Sequence, residues 1–272
     1  MTNLPTLPDV TAIEVDFEEG WLTIWFNQPQ KRNAFTAELV DDLKAVLKAV
    51  RNDRSVRGVT LRGRGGVFCA GGDLKAFKTQ HQSDAASRDD VVAMSKNGAE
   101  MFDLVNTMPQ VVVVLIEGAA MAGGFGISCC ADVVIAAADA RFAMTETAIG
   151  LSPAQISPFV IQKLGYATGR RLMITGARFN GKEAGTLGFA DFIGGSTEHL
   201  EATERQIRAQ VLKCAPGAIA DTKSLILRLP HLDRAETIDA AAENFADRML
   251  SEEASEGIGA FLEKRKPNWV VE

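Results

Sequence analysis

Residues 111–132 read VVVVLIEGAAMAGGFGISCCAD, and this stretch decides the fold. It opens with a run of β-branched residues that ends before Gly118, which predicts a strand buried on both faces, as in a parallel sheet. A loop of small residues follows Gly118, and a glycine-rich turn, GGFG at 123–126, then leads into a small apolar run, residues 127–131, which we interpret as a buried helix. A strand, a glycine-rich turn and a helix N-terminus in this order direct unpaired backbone N–H groups into one pocket.

A pocket of this kind suits a phosphate, or it stabilises an oxyanion during a reaction. A helix that packs so closely on its sheet that only glycine fits would carry the same glycines, so a packing role stays open. A dinucleotide fingerprint is excluded, because Cys129 stands where the third glycine of G-x-G-x-x-G belongs. A nucleophile elbow is excluded too, because no G-x-S-x-G pentad occurs. The pocket therefore needs a second group from elsewhere in the chain.

The composition limits the class of protein. The chain has 272 residues, 46% of them hydrophobic, so it can bury the core of one large α/β domain or of a domain with an appendage. The formal net charge of −6 argues against general nucleic-acid binding, and a phosphate-bearing ligand would need a local basic cluster. The longest weakly charged run, residues 118–138, is rich in glycine and contains an aspartate, which indicates protein core and not a membrane span.

Cysteine usage and the N-terminal sequence bear on location. The four cysteines form no C-x-x-C pair and two of them lie inside small apolar runs, a pattern typical of buried free thiols in a reducing compartment. Residues 1–9 show no basic-then-apolar signal pattern. We therefore expect a cytoplasmic protein without disulfides or zinc.

The rest of the chain alternates strand and helix patterns before helices take over. Residues 13–17 and 21–26 alternate around a glycine and predict a β-hairpin. Thr36 is placed to cap a helix. Residues 56–62 predict a strand that runs into a second glycine-rich turn, GRGGVFCAGGD at 63–73. Further predicted elements are a helix over 90–108, strands over 133–137 and 189–193, and four helices within 198–264.

The titratable residues offer few catalytic candidates. The three histidines lie in polar or helical contexts and form no recognisable catalytic or metal-binding pattern. Glu146 and Glu117 stand out among the carboxylates, because each lies among small or apolar neighbours. A carboxylate that is removed from water has a raised pKa and can exchange a proton near neutral pH. Glu146 is therefore a candidate acid–base residue, with a structural role as the alternative.

Three short segments carry a family resemblance: FCAGGD at 68–73, the Gly123-Gly124 turn and ETAIG at 146–150. Together they are similar to the crotonase family, also called the enoyl-CoA hydratase/isomerase superfamily. The similarity extends from PQKRNAF at 29–35 to FLEKRKP at 261–267, nearly the whole chain. The segments GGFGISCCAD and IGLSPAQISPF resemble most the branch that hydrates branched glutaconyl-CoA thioesters, the methylglutaconyl-CoA or isohexenylglutaconyl-CoA hydratase type.

The resemblance implies an α/β fold, a crotonase-like spiral of ββα units. A shift in composition near residue 195 divides the chain into residues 1–195, the core with the acyl-CoA site, and residues 196–272, a helical region for oligomerisation. In this family such a region builds homotrimers that pair into hexamers. No metal and no separate cofactor are implied, because CoA is part of the substrate. Neither nucleic acid nor a membrane is expected as a partner.

The resemblance also supplies the second group of the pocket. In this family the thioester oxygen of an acyl-CoA accepts hydrogen bonds from two backbone N–H groups, which fall here on Ala70 and Gly123. Such donors stabilise the enolate-like charge that develops on the oxygen. The substrate- and CoA-binding residues implied are Lys31, Arg32, Ala34, Ala70, Gly71, Gly72, Asp73, Leu74, Gly123, Gly126, Gln155 and Lys264, the last contributed by a neighbouring subunit.

The sequence departs from the family pattern at Gly126. Typical hydratases place two glutamates around the attacking water; the second falls on Glu146, and the first falls on Gly126, which has no side chain. A single acid suits a double-bond isomerase, which moves one proton between carbons. It also serves a hydratase if Glu146 both activates the water and returns a proton to the α-carbon. Because the branched-glutaconyl branch also carries glycine here, the predicted function is an enoyl-CoA hydratase, a hydro-lyase that adds water across C2=C3.

Several alternatives stay open. An isomerase would use the single glutamate, a thioester hydrolase would release free CoA, and a silent acyl-CoA-binding protein would tolerate loss of Glu146. Gln155 is a candidate for binding a polar end of the acyl group, with a packing role equally open. Gly126 either faces the acyl pocket or is glycine because the helix packs too closely for any side chain.

Overall fold

Two β-sheets organise the fold, which the computed structural model describes for residues 5–82 and 87–270. The strands are β1 (Ile13–Glu18), β2 (Trp21–Phe26), β3 (Gly58–Gly63), β4 (Val111–Ile116), β5 (Ala119–Met121), β6 (Val133–Ala137), β7 (Arg141–Ala143), β8 (Arg178–Asn180) and β9 (Phe192–Gly194). The larger sheet has the order β1-β2-β3-β4-β6-β9, and the smaller has the order β5-β7-β8. In the larger sheet β1 and β2 form the predicted antiparallel hairpin, and the other pairs are parallel.

Ten helices follow or connect these strands in the described part of the chain. They are α1 (Ala37–Val50), α2 (Leu74–Gln82), α3 (Arg88–Asn106), α4 (Gly123–Cys129), α5 (Ser157–Thr175), α6 (Gly181–Thr186), α7 (Thr197–Val211), α8 (Pro216–Arg228), α9 (Arg234–Met249) and α10 (Glu252–Leu262). Thr36 caps α1 as predicted, since its side chain accepts the N–H of Leu39. None of these helices is long and apolar enough to cross a membrane.

Strand β4 confirms the prediction of a strand buried on both faces. Val112, Val114 and Ile116 belong to the main hydrophobic core. Val113 and Leu115, which alternate with them, belong to a second apolar cluster on the opposite face. Successive side chains of a strand point to opposite faces, so burial of both faces explains why the run is continuously apolar.

Helix α7 covers the second face of the larger sheet. A buried chain of hydrogen bonds fixes it there: Trp21 Nε1 donates to Thr60 Oγ1 at 2.8 Å, and Thr60 Oγ1 donates to Glu204 Oε1 at 2.5 Å. Arg208 Nε donates to the same carboxylate at 2.6 Å. Because burying an unpaired carboxylate is costly, this network specifies how the helical region sits on the core.

The smaller sheet is the part of the fold that the sequence did not predict. Residues 119–121 form a strand where a loop was expected, and α4 begins at Gly123 and not at residue 127. The C-terminal short strand also lies later than predicted, at Phe192–Gly194. Strands of three residues are too short to show a periodic pattern.

The cysteines are free, as predicted, but not all are buried. Cys69, Cys129 and Cys130 lie in the core, and burial raises the pKa of each thiol. Cys214 is exposed after the end of α7, which corrects the expectation of four buried thiols.

Candidate active site

Two glycine-rich turns meet at the smaller sheet, and Cys69 joins them. Its backbone N–H donates to the carbonyl of Ala119 at 3.0 Å, and its carbonyl accepts the N–H of Met121 at 2.9 Å. Gly71 then passes so close that a Cβ on it would lie 2.9 Å from the carbonyl oxygen of Met121. Its φ of +95° also favours glycine. The same Cβ position is 3.6 Å from the backbone N of Gly123, so the two turns are in contact.

The N–H of Gly123 is available to a ligand. Gly123 is the first residue of α4, where N–H groups have no partner within the helix. Ala122 precedes it with φ 48° and ψ −119° and provides no side-chain cap. Few residues other than glycine adopt this backbone conformation, so Ala122 is strained. Backbone strain of this kind is common at functional sites. The turn therefore holds this N–H in place, and it has no acceptor within residues 5–82 and 87–270.

The N–H of Ala70 is not available as the second donor. It donates to the carbonyl of Arg32 at 3.0 Å, so the expected role of Ala70 in binding an oxyanion is wrong. Two residues further on, Gly72 pairs with Phe35 through a hydrogen bond from the N–H of Phe35 to the carbonyl of Gly71, at 2.8 Å. This pairing does not use the N–H of Gly72, which has no acceptor among the described residues.

Glu146 lies at the same edge of the smaller sheet as Gly123. β5 and β7 are parallel, the N–H of Ala122 donates to the carbonyl of Ala143 at 2.7 Å, and each residue shortly follows its strand. The Glu146 side chain is half-buried, and its Oε2 has no hydrogen-bond partner in the described part of the chain. Burial raises the pKa of Glu146 above its ordinary value of 4.5, because removal from water disfavours the charged form. Such a carboxyl can take and return a proton.

Glu117, the other acid among small or apolar neighbours, has a structural role. Its Oε2 accepts from Arg62 at 3.0 Å, and its Oε1 accepts from Thr197 Oγ1 at 2.6 Å. Thr197 begins α7, so this carboxylate ties the helical region to the end of β4. Both of its oxygens are occupied, and no proton-transfer role follows.

Gly126 does not face an open pocket. It is buried within α4, and a Cβ on it would lie 2.2 Å from Cγ2 and 2.7 Å from Cβ of Ile156. Ile156 is 4% exposed, so the space beside Gly126 is filled by this side chain. Of the two alternatives for Gly126, the structure supports close packing, and its expected contact with substrate is not supported.

A cavity of about 480 Å³ lies beside the first turn. Arg32 and Ala70, both expected to contact CoA, line it together with Arg141 and Arg178. The register of β7 and β8 pairs Ala143 with Arg178, so both arginines project from the same face of the smaller sheet. Two other cavities, of about 520 and 590 Å³, are lined by α8 and contain none of the predicted site residues.

Of the remaining predicted residues, some make hydrogen bonds within the fold and others are exposed. Asp73 Oδ1 accepts the N–H groups of Lys75 and Ala76, at 3.0 and 3.2 Å, so it caps α2. Gln155 Nε2 donates to Ser95 Oγ at 2.9 Å, which joins the segment before α5 to α3. The other predicted contacts, Lys31, Leu74 and Lys264, are exposed, and Ala34 is half-buried.

Sequence reasoning missed four residues of the site. Arg141 and Arg178 lie far apart in sequence and are brought together by pairing of strands that were not predicted. Phe35 and Cys69 were read as parts of motifs, and their contacts with both turns appear only in three dimensions. The one sequence signal that the two arginines share is the tripeptide ARF, which occurs at residues 140–142 and 177–179.

The structure and the sequence of the chain are similar to those of several other proteins. The structure resembles that of Pseudomonas aeruginosa AtuE, with a TM-score of 0.92 and 42% identity over 96% of this chain and 100% of that chain. It also resembles an enoyl-CoA hydratase/isomerase from Marinobacter aquaeolei, with a TM-score of 0.91 and 38% identity over 96% and 99% of the two chains. A putative enoyl-CoA hydratase of Thermus thermophilus is 31% identical over 94% of this chain and 100% of its own length.

The family assignment rests on the fold, the two turns and these similarities. A family model described as "Enoyl-CoA hydratase/isomerase" matches residues 16–271. The two-sheet architecture with its helical C-terminal region is the crotonase fold expected from the sequence motifs. The chain therefore belongs to the enoyl-CoA hydratase/isomerase family and is an enzyme of acyl-CoA metabolism.

Proposed function

We propose that this enzyme is an enoyl-CoA hydratase that uses Glu146 as its acid–base residue and two backbone N–H groups as its oxyanion donors. The observation that carries the proposal is the position of Glu146. Its partly desolvated carboxyl, whose Oε2 has no hydrogen-bond partner among the described residues, lies at the same sheet edge as the N–H of Gly123. Because the N–H of Ala70 is engaged, the second donor in this proposal is Gly72.

The proposed reaction needs one proton-transfer group and one oxyanion site. The thioester oxygen accepts the N–H groups of Gly72 and Gly123. Glu146 takes a proton from water, the water oxygen bonds to C3, and the C2=C3 electron pair moves through C1 onto the thioester oxygen. Glu146 then returns the proton to C2, and the carbonyl re-forms. Donors that are fixed before the reaction stabilise the developing charge without reorganisation, which typically contributes about 10²–10³ in rate for each donor.

The arginine-lined cavity supports binding of the CoA portion. CoA carries several phosphate charges, whereas the protein has a net charge of −6, so a local cationic site is needed. Arg32, Arg141 and Arg178 supply one beside the first turn. Guanidinium groups bind phosphate oxygens through paired hydrogen bonds. We place Lys264 of a neighbouring subunit near the same phosphates, as the family resemblance implies.

The proposed substrate class is a branched glutaconyl-CoA. The support is the similarity of the GGFGISCCAD and IGLSPAQISPF segments to hydratases of that type, including the glycine at position 126. A panel of straight-chain and branched enoyl-CoA thioesters, incubated in ¹⁸O-water and followed by mass spectrometry, tests both the reaction and the substrate class. Incorporation of labelled water, greatest with a branched glutaconyl-CoA, is expected.

Double-bond isomerisation is the second candidate, because the structure gives Glu146 no carboxylate partner at position 126. In the same experiment an isomerase converts the thioester without a change of mass. A hydrolase releases free CoA, which a thiol reagent detects. Either outcome with no labelled hydration product contradicts the hydratase proposal.

We also propose that the chain assembles into homotrimers, paired into hexamers. The support is a set of large apolar side chains left exposed on the last two helices and at their ends. These are Ile238, Phe245, Met249, Leu250, Ile258, Phe261 and Leu262. An exposed apolar surface of this kind is typical of a protein–protein interface. Light scattering coupled to size-exclusion chromatography gives the assembly mass, and a monomer at micromolar concentration contradicts the proposal.

A further inference from the structure

Phe35 contacts both donor turns. Its backbone N–H donates to the carbonyl of Gly71 at 2.8 Å, and it pairs with Gly72 as an isolated bridge. Its ring lies against Gly123, where a Cβ would be 3.2 Å from Cδ2 and 3.4 Å from Cε2 of the ring. One residue therefore touches both segments that are proposed to hold the thioester oxygen.

The ring of Phe35 is fixed within a row of phenylalanines. It packs edge to face with Phe26, at 5.9 Å between ring centroids and 81°, and with Phe102, at 6.3 Å and 69°. Phe102 in turn contacts Phe159 at 6.2 Å. Phe26 is fully buried, whereas Phe35 keeps part of its surface uncovered. Because aromatic neighbours hold it on two sides, the ring acts as a rigid wall beside Gly123.

We propose that Phe35 is a specificity-determining residue that limits the width of the acyl pocket beside the thioester carbonyl and disfavours a substituent on the α-carbon. This inference rests on the proposed function. An oxygen that accepts the N–H of Gly123 lies about 2.9 Å from its nitrogen, and the α-carbon is two covalent bonds from that oxygen. Because the ring lies 3.2 Å from the Cβ position of Gly123, we place an α-methyl group beside the ring edge. A methyl group on the β-carbon is one covalent bond further from the thioester oxygen than an α-methyl group. A pocket narrowed by Phe35 is therefore compatible with a substrate that is branched at the β-carbon.

The test compares crotonyl-CoA with tiglyl-CoA, its α-methyl analogue, in three variants. Phe35→Ala removes the wall, and we expect kcat/KM for tiglyl-CoA relative to crotonyl-CoA to rise about tenfold or more, since one methyl group in a pocket is worth roughly 10–200-fold. Phe35→Leu should give a smaller rise in the same ratio. Phe26→Leu is the matched control, because Phe26 touches the same ring but is itself fully buried. It should leave the ratio unchanged.

A purely structural role for Phe35 predicts a different pattern. Phe35→Ala and Phe26→Leu would then both lower the melting temperature, and each would reduce kcat/KM for the two thioesters by one common factor. That outcome overturns the inference while the hydratase proposal stands. If Phe35→Ala does not fold, the ratio measured for Phe35→Leu decides. A wild-type enzyme that hydrates neither these two thioesters nor a branched glutaconyl-CoA overturns the proposed function, and this inference with it. If it hydrates only the glutaconyl thioester, the same ratio is measured with that thioester and its α-methyl analogue, and an unchanged ratio in Phe35→Ala overturns the inference.

Discussion

Replacing Gly126 with alanine has two opposing effects on stability, a gain in helix propensity and a steric clash in the core. Gly126 lies inside α4, where alanine is favoured over glycine by about 1 kcal/mol. The added Cβ, however, would lie 2.2 Å from Cγ2 and 2.7 Å from Cβ of Ile156. Ordinary carbon–carbon contacts are about 3.5–4.0 Å. A rotamer change of Ile156 moves Cγ2 but leaves its Cβ in place, so the backbones of α4 and the segment before α5 must separate.

The expected net effect is destabilisation. Overpacking of a well-packed core costs about 1–3 kcal/mol, and a contact that rotation cannot relieve belongs at the upper end. After subtraction of the helix-propensity gain, a loss of about 2 kcal/mol remains. For a chain of this size that corresponds to a fall in melting temperature of roughly 4–8 °C. Thermal unfolding followed by circular dichroism measures this shift directly.

Gly98 provides the matched control. It lies inside α3, and a Cβ on it would meet nothing within 4 Å. Gly98→Ala should therefore raise the melting temperature, because alanine has a higher helix propensity than glycine and no clash opposes it. If Gly126→Ala is as stable as Gly98→Ala, Ile156 does not fill the space beside Gly126, and the packing explanation for this glycine fails. In that case Gly126→Glu becomes a practical route to a second carboxylate. If the packing explanation holds, Gly126→Glu should lose activity on every substrate.

Three further predictions concern the chemistry and CoA binding. Glu146→Gln should lower kcat by roughly 10²-fold or more, because general acid–base catalysis contributes about that much. A kcat close to that of wild type would contradict the role of Glu146 in the mechanism. Gly123→Pro, once shown to be folded, should lose about 10²–10³ in kcat with the donor N–H, and normal turnover would contradict the oxyanion role. Arg178→Gln should raise KM for CoA thioesters and leave KM for pantetheine thioesters unchanged, and an equal change for both would place the phosphates elsewhere.

The large elements were predictable because they carry strong patterns. The run of residues 133–137 became β6 with the predicted bounds, and the hairpin of β1 and β2 follows from alternation around Gly20. The helices of the C-terminal region break near Pro216, Pro230 and Ser251, as their composition indicates. Strong local patterns of this kind survive in the folded chain because tertiary contacts do not compete with them.

The site was predictable as a region but not at atomic detail. Both glycine turns and Glu146 were predicted from the sequence, but the N–H of Ala70 is engaged, and the donor that we propose in the first turn is Gly72. This choice depends on which N–H is used by the neighbouring 32–35 segment, and neither composition nor spacing reveals that register. The same holds for Gly126, because Ile156, which fills its side-chain position, lies thirty positions later in the chain.

The burial of Glu146 has a consequence for stability that is separate from catalysis. Its pKa in the folded state is raised above 4.5 by desolvation, so between that pH and the raised value the native state binds more protons than the unfolded state. Stability therefore falls as pH rises through this window and stays lower above it. Glu146→Gln has no proton to lose, so its melting temperature relative to wild type should be higher at about pH 8 than at about pH 4.5. Glu100 is the opposite control, because a hydrogen bond from Lys44 lowers its pKa. The melting temperature of Glu100→Gln relative to wild type should be lower at about pH 8 than at about pH 4.5. A difference for Glu146→Gln that does not change with pH would mean that this carboxyl is not desolvated in the folded enzyme.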